Sequence, residues 1–330
     1  MTRVAIVCPG RGSYSENTRG RLPREHPFVQ QADELRRSAG LTPLSELDHE
    51  GPYQAEVHLG AMNASPLIWL TTMIEASEAL ETEHCVAVLG NSLGWYTALA
   101  VAGALSFEEG FQLVQGMAEL QETVSAGGQL LYPEVGDDWR PDSERIEHVS
   151  AALAAADGEA FRSIRLGGVA VLAGTEQGVE HLMGALPPVQ LGRTRYPLRL
   201  FGHGPFHTPL LEEVARQAHE RFRGLNWQRP SHTLIDGRGT RHTPWSADPA
   251  ALAEYTLGAQ VVDTFDFSSA LRVTLREFAP DRLVLPGPGN SLGGICGQVL
   301  VAEGWRGVRS KEDFDALQSS ESAVLSSLWR

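Results

Sequence analysis

Two kinds of apolar pattern alternate along the chain. Short unbroken apolar runs bounded by glycine or proline predict buried strands; apolar residues three or four apart predict helices with one buried face. The first run, Val4–Cys8, predicts a strand that leads into the turn Pro9-Gly10-Arg11-Gly12-Ser13. A polar, arginine-bearing loop then continues to about Pro27. Helices are predicted over Pro27–Ser38 and Ser65–Glu81, the second with Leu67, Leu70 and Ile74 on its apolar face. Cys85–Leu89 predicts the next strand, followed by Gly90-Asn91-Ser92-Leu93-Gly94, a helix to about Gly103, and another over Phe107–Val124.

The texture changes at Gly127. Strand-like Gln129–Val135 is followed by a helix over Asp142–Ala155 and by strand-like Phe161–Leu166 and Val169–Ala173. A helix is predicted over Thr175–Ala185, and Val189–Phe201 begins as a loop and ends as a strand, Pro197–Phe201. This β-α-β-β-α-β order is that of a ferredoxin-like α+β unit. Beyond it, Pro209–Leu225 and Ser268–Phe278 are helical, while Thr233–Asp236 and Leu283–Leu285 are strands. The alternation predicts an α/β protein with a doubly wound core, interrupted by the smaller unit. The division expected is 1-126 with 200-330 as the large part and 127-199 as the small one.

Composition narrows the classes. A chain of 330 residues with 42% hydrophobic and 21% charged residues is globular and long enough for one large core plus a subdomain. No apolar run approaches the roughly 18 residues that span a bilayer, and the start of the chain runs straight into a strand. A cytoplasmic protein without membrane association is expected. The net charge of −14 argues against nucleic-acid binding. Cys8, Cys85 and Cys296 are too few and too scattered for a disulfide framework or a zinc site, so reduced thiols and no bound metal are expected.

Candidate chemistry lies at Ser92. A serine between a strand and a helix, flanked by Gly90 and Gly94, sits on a sharp, strained turn that exposes its hydroxyl. The helix N-terminus supplies unpaired N–H groups where an oxyanion can be stabilised. Ser92 is therefore the candidate nucleophile of an acyl transfer. The same pentapeptide recurs as Gly289-Asn290-Ser291-Leu292-Gly293, but Pro286-Gly287-Pro288 interrupts the strand before it, and that context reads as a turn and helix cap. A serine needs a base. Of 11 histidines, His207 stands in Gly204-Pro205-Phe206-His207-Thr208-Pro209, between a strand and a helix that Thr208 and Pro209 can start. His203 is its local competitor.

Five ordered segments resemble one family. They are Pro9-Gly10-Arg11-Gly12, Gly90–Leu99, Ala102–Phe107, Gly204–Leu210 and Gly287-Pro288-Gly289. In order and spacing they are similar to malonyl-CoA:acyl-carrier-protein transacylases and to the acyltransferase domains of polyketide and fatty-acid synthases. The resemblance implies an α/β-hydrolase-like doubly wound core with a ferredoxin-like insert. It implies Ser92 and His207 as catalytic pair in a ping-pong mechanism, and an oxyanion hole from the backbone N–H groups of Leu93 and Arg11. Phosphopantetheine thioesters, on coenzyme A or on an acyl carrier protein, are the implied substrates, with no bound cofactor. The family orients its histidine largely through backbone carbonyls; Asp266 or Asp263 would add a carboxylate here.

The chain departs from the resemblance around its pocket. Met117 falls where malonyl-specific members carry the arginine that pairs the substrate carboxylate. Arg11, Asn91, Trp95 and Ser65 replace residues usual at their positions, and Phe206 precedes the histidine. Methionine cannot pair an anion, so these departures favour an acyl group other than malonyl. Three readings stay open: transfer of an uncharged acyl group, hydrolysis of acyl-carrier thioesters by the same pair, and malonyl transfer with Arg11 supplying the missing cation. A silent scaffold subunit and an ordinary esterase fit the motifs less well. Arg19, Arg21 and Arg24, with Arg193, Arg195 and Arg199, are candidate contacts to an acidic carrier protein.

Overall fold

Unbroken apolar runs form the buried centre of a six-stranded sheet in the computed structural model, which describes residues 1–122 and 127–327. The chain begins with β1 (Arg3–Cys8), α1 (Pro27–Ser38), two short helices α2 (Leu44–His49) and α3 (Ala55–His58), and the long α4 (Ala61–Thr82). Then come β2 (His84–Gly90), α5 (Leu93–Val101) and α6 (Phe107–Glu122). The last two residues of the helix predicted over Phe107–Val124 lie outside the described residues. The second unit comprises β3 (Gly128–Pro133), α7 (Ser143–Ala154), β4 (Ala160–Leu166), β5 (Val169–Gly174), α8 (Glu176–Ala185), β6 (Val189–Leu191), β7 (Thr194–Tyr196) and β8 (Leu198–Arg199). The rest is α9 (Glu212–Arg221), β9 (Leu234–Ile235), β10 (Arg241–His242), α10 (Pro249–Glu254), α11 (Gln260–Val262), β11 (Phe265–Asp266), α12 (Phe267–Val273), β12 (Arg282–Leu285), α13 (Gly293–Glu303), α14 (Lys311–Gln318) and β13 (Leu325–Ser327).

The large sheet runs β10-β9-β2-β1-β12-β13, parallel except for β10 against β9. Its middle strand β1 has Val4 through Cys8 fully buried, as expected of a parallel strand covered on both faces. The small sheet runs β11-β4-β5-β3-β8. Its four insert strands pair antiparallel, and β11 from the later part of the chain adds in parallel at one edge. Alternation in β3 divides its two faces. Leu130 and Tyr132 pack into a small core with Val149 of α7 and Val179 of α8, while Leu131 turns toward the large unit.

Several predicted bounds shift. The segment Val189–Tyr196 is a hairpin, β6 with β7, not a loop. The helix expected over Pro209–Leu225 is a tight turn, Pro209–Leu211, followed by α9 ending at Arg221. The helix expected over Ser268–Phe278 passes from α12 into a wider π-type turn, Thr274–Phe278. The three thiols are free, and burial pushes Cys85 and Cys296 up to about 12. Among the described residues, no helix is long and apolar enough to cross a membrane.

Candidate active site

β2 and α5 meet at Ser92, whose backbone is forced into a left-handed-side conformation (φ 54°, ψ −112°) at the N-cap of α5. Two glycines permit this turn. A Cβ on Gly90 would collide with the backbone of Gly94, and one on Gly94 with the backbone of Cys8 at the end of β1. The close crossing leaves Leu93 as the first residue of the helix, where N–H groups have no intrahelical partner.

His207 comes from the loop between β8 and α9. Its Nε2 lies 2.7 Å from Ser92 Oγ. Its Nδ1 lies 2.6 Å from the backbone carbonyl oxygen of Gln260. A carbonyl only accepts, so Nδ1 carries the proton and donates, and Nε2 offers a lone pair to the serine hydroxyl. Gln260 lies in the last turn of a continuous helical run, α10, a π-type turn over Tyr255–Ala259 and α11, where carbonyls have no intrahelical partner, so its carbonyl is free to accept from the imidazole. The Gln260 side chain adds two contacts. Its Oε1 accepts from Tyr96 Oη at 2.9 Å, and its Nε2 donates to the Ser92 carbonyl at 3.4 Å.

The aspartates expected to orient the histidine do not reach it. Asp266 caps α12, accepting from the Ser269 N–H at 2.8 Å, and stands 3.7 Å from Arg165. Asp263 is exposed at the end of α11. The backbone carbonyl occupies the face of the ring that a carboxylate would need.

The imidazole itself is held in a strained backbone (φ 56°). Ser163 Oγ donates to the Phe206 carbonyl at 2.7 Å and Thr208 Oγ1 to the Pro205 carbonyl at 2.6 Å, fixing the two peptides that precede the histidine. Burial pushes the His207 ring down to about 4, only partly offset by the Gln260 carbonyl. A lowered pKa keeps Nε2 unprotonated as pH falls. The acid limb of kcat/KM is therefore expected near pH 4 to 5 instead of the 6.5 of a free imidazole, measured as a pH–rate profile at low substrate.

Two cavities meet at Ser92. The larger, about 290 Å³, lies between the two sheets; Leu131, Ile164, Val169 and Val171 of the small sheet form its apolar wall. It reaches the surface at Gly12 and Ser291, so the second pentapeptide forms its rim. The smaller, about 20 Å³, is bounded by Leu93, Tyr96, Gln121, His207 and Gln260. Arg11, Ser92 and Phe206 line both.

The pocket residues expected from sequence divide in two. Asn91 lines the larger cavity, its buried Oδ1 without a partner among the described residues. Met117, Trp95 and Ser65 line neither. Met117 is 1% exposed within α6, and Trp95 is packed edge-on to Tyr255 with its Nε1 donating to Thr256 at 2.9 Å. Ser65 is buried in α4. These three sit behind the site as core. Sequence reasoning missed Gln260, Gln121, Gln129 and the apolar wall, which come from distant segments and carry no local motif.

Arg11 is the cation of the site. Its guanidinium donates to the Gly202 carbonyl at 3.0 Å and the Leu59 carbonyl at 3.4 Å, and lies 5.5 Å from the centre of the Phe206 ring. Burial lowers its pKa to about 10. The Glu122 carboxylate offsets part of that fall electrostatically, but among the described residues no carboxylate forms an ion pair with Arg11. The other arginines considered differ. Arg199 is held by both carboxylate oxygens of Glu176 at 2.6 Å, Arg24 by Glu50, and Arg19 by backbone carbonyls, whereas Arg193 and Arg195 are exposed on the β6–β7 hairpin.

No protein-family model matches the chain. Among curated proteins, the malonyl CoA-acyl carrier protein transacylase of Bacillus subtilis is 30% identical over 229 residues, covering 67% of this chain and 68% of that protein. Among solved structures, an acyl-carrier-protein S-malonyltransferase from Burkholderia pseudomallei superposes with a TM-score of 0.75 at 21% identity, over 99% of this chain and 96% of that one. A malonyl transacylase solved in complex with its type II polyketide-synthase acyl carrier protein superposes with a TM-score of 0.74 at 21% identity, over 91% and 93%. The α/β fold is thus shared, and the chain, an acyltransferase, belongs to the malonyl-CoA:acyl-carrier-protein transacylase family.

Proposed function

We propose that this acyltransferase moves a short, carboxyl-bearing acyl group from coenzyme A to the phosphopantetheine thiol of an acyl carrier protein, through an acyl-Ser92 intermediate. His207 Nε2 takes the Ser92 proton as Oγ bonds to the thioester carbonyl carbon. The backbone N–H groups of Leu93 and Arg11 hold the resulting oxyanion, each worth about 2.7–4 kcal/mol in the transition state. The carbon–sulfur bond then breaks, and the imidazolium returns its proton to the leaving thiolate. A second thiol repeats these steps in reverse.

The observation that carries the acyl class is Arg11: a half-buried guanidinium lining both cavities beside Ser92, hydrogen-bonded only to carbonyls, with Glu122 acting on it electrostatically but forming no ion pair with it. A partly desolvated cation whose hydrogen bonds go only to carbonyls favours an anion in the adjoining space. The smaller cavity it lines, about 20 Å³, adjoins Ser92 beside Leu93 and His207, so the guanidinium faces the space next to the nucleophile. The case for an uncharged acyl group is that Met117 stands where malonyl-specific members carry the pairing arginine; Met117 itself lines neither cavity, and Arg11 is the cation that lines both. The larger, open cavity suits the thiol-bearing arm, which must arrive from solvent. The exposed Arg193 and Arg195 offer positive charge to an acidic carrier protein on an otherwise acidic molecule.

Arg11→Ala keeps the backbone N–H and removes the cation. It is expected to lower kcat/KM for malonyl-CoA by about 10- to 100-fold, the value of a charge-assisted contact. Acetyl-CoA should change by far less. A wild-type enzyme that prefers acetyl- or butyryl-CoA to malonyl-CoA overturns the acyl assignment, and rapid loss of the acyl group to water instead of to a thiol overturns transfer.

A further inference from the structure

The wall of the larger cavity holds a hydrogen-bonded chain that the acyl-transfer steps leave unused. Ser163 Oγ donates to the Phe206 carbonyl at 2.7 Å. Gln129 Nε2 donates to Ser163 Oγ at 2.6 Å. Gln129 Oε1 lies 2.8 Å from His203 Nδ1. Each link fixes the next. The carbonyl can only accept, so the Ser163 proton points to it and its oxygen accepts from the Gln129 amide nitrogen. That sets the amide with Oε1 toward His203, and Nδ1 must be the protonated nitrogen. His203 Nε2 is therefore left as a lone pair, with no partner among the described residues, on a ring that lines the cavity.

The ring stays in this state at working pH. Burial and the nearby Arg11 charge push it down to about 3, so Nε2 accepts and never donates. Apart from polar residues such as Asn91 and Arg11, much of the cavity wall is aliphatic, with Leu131, Ile164, Leu166 and Val171. An N–H group placed against such a wall loses its water and needs an acceptor.

We propose that His203 is a positioning residue for the thiol-bearing arm of the substrate, its Nε2 accepting a hydrogen bond from an amide N–H of that arm. A phosphopantetheine arm carries two secondary amides between its phosphate and its sulfur. An acceptor fixed in the wall of the open cavity selects arms that bear an amide over plain alkyl thiols. The same chain ends on the Phe206 carbonyl, one peptide before His207, so the acceptor and the base are referenced to one rigid strut. This inference rests on the proposed acyl transfer through Ser92.

The test compares wild type with His203→Phe, which keeps the ring and removes both nitrogens, and with His203→Gln, whose amide oxygen can replace Nε2. The substrates are malonyl-pantetheine and the malonyl thioester of ethanethiol, which has no amide. His203→Phe is expected to raise KM for malonyl-pantetheine about five- to tenfold more than for the ethanethiol thioester, with kcat changing less than KM, and His203→Gln to recover most of the difference. Equal effects on both thioesters, or none on either, overturn the inference. Failure of wild type to form acyl-Ser92 from either thioester would instead sink the parent reading, and this one with it.

Discussion

His207→Ala is expected to lower kcat for acyl transfer by about 10⁴-fold or more while leaving KM within a few-fold. The imidazole is placed for one task. Nδ1 is committed to the Gln260 carbonyl and Nε2 to Ser92 Oγ, so the ring holds no part of a resting substrate and acts when Oγ attacks. His203, which lines the larger cavity, has its proton on Nδ1 against Gln129 and a still lower pKa, which makes it a poor substitute base. Steady-state transfer to a carrier thiol measures the effect. A variant retaining kcat within tenfold of wild type would mean that another group takes the Ser92 proton.

Gly94→Ala is the substitution with the largest expected effect on both stability and activity. The added carbon would meet the Cys8 carbonyl, with the Pro9 oxygen also inside contact distance, and these atoms are backbone at the end of the central strand. A flexible side chain could swing aside; β1 cannot, because it is paired with β2 and β12 on its two edges. Relief requires moving α5 away from the sheet, which carries Leu93 and Ser92 with it. Overpacking against such backbone costs about 3 kcal/mol or more, a fall in Tm on the order of 5 °C, with transfer activity lost even in the folded fraction. Wild-type activity at an unchanged Tm would show that the crossing is looser than described.

Much of this architecture is legible in local sequence. β1, β2 and the serine turn announce themselves because a fully buried parallel strand is a continuous apolar run and its exit needs glycine. The β-α-β-β-α-β order of the insert follows from its alternating periods. The β6–β7 hairpin is not predicted, although Gly192-Arg193 between Val-Gln-Leu and Thr-Arg-Tyr is a two-residue turn signal. The pocket is harder to read. Whether Met117 on α6 or Trp95 on α5 faces the cavity or the core depends on the rotation of each helix; α5 is buried nearly all round, and α6 buries a face wide enough to hold both core and site positions. The group that orients His207 is a carbonyl of Gln260, and a backbone oxygen has no signature in sequence. The larger cavity belongs to two sheets at once, so its lining exists only after the insert folds against the core.

The central claim is that Ser92, activated by His207, carries the acyl group. Its most direct measurement is the intact mass of the protein after brief exposure to malonyl-CoA, with the modified peptide mapped. One malonyl group on the peptide containing Ser92, absent from Ser92→Ala, is the predicted result. Equal labelling of Ser92→Ala, or a label that maps to Ser291 or to a cysteine, would contradict it.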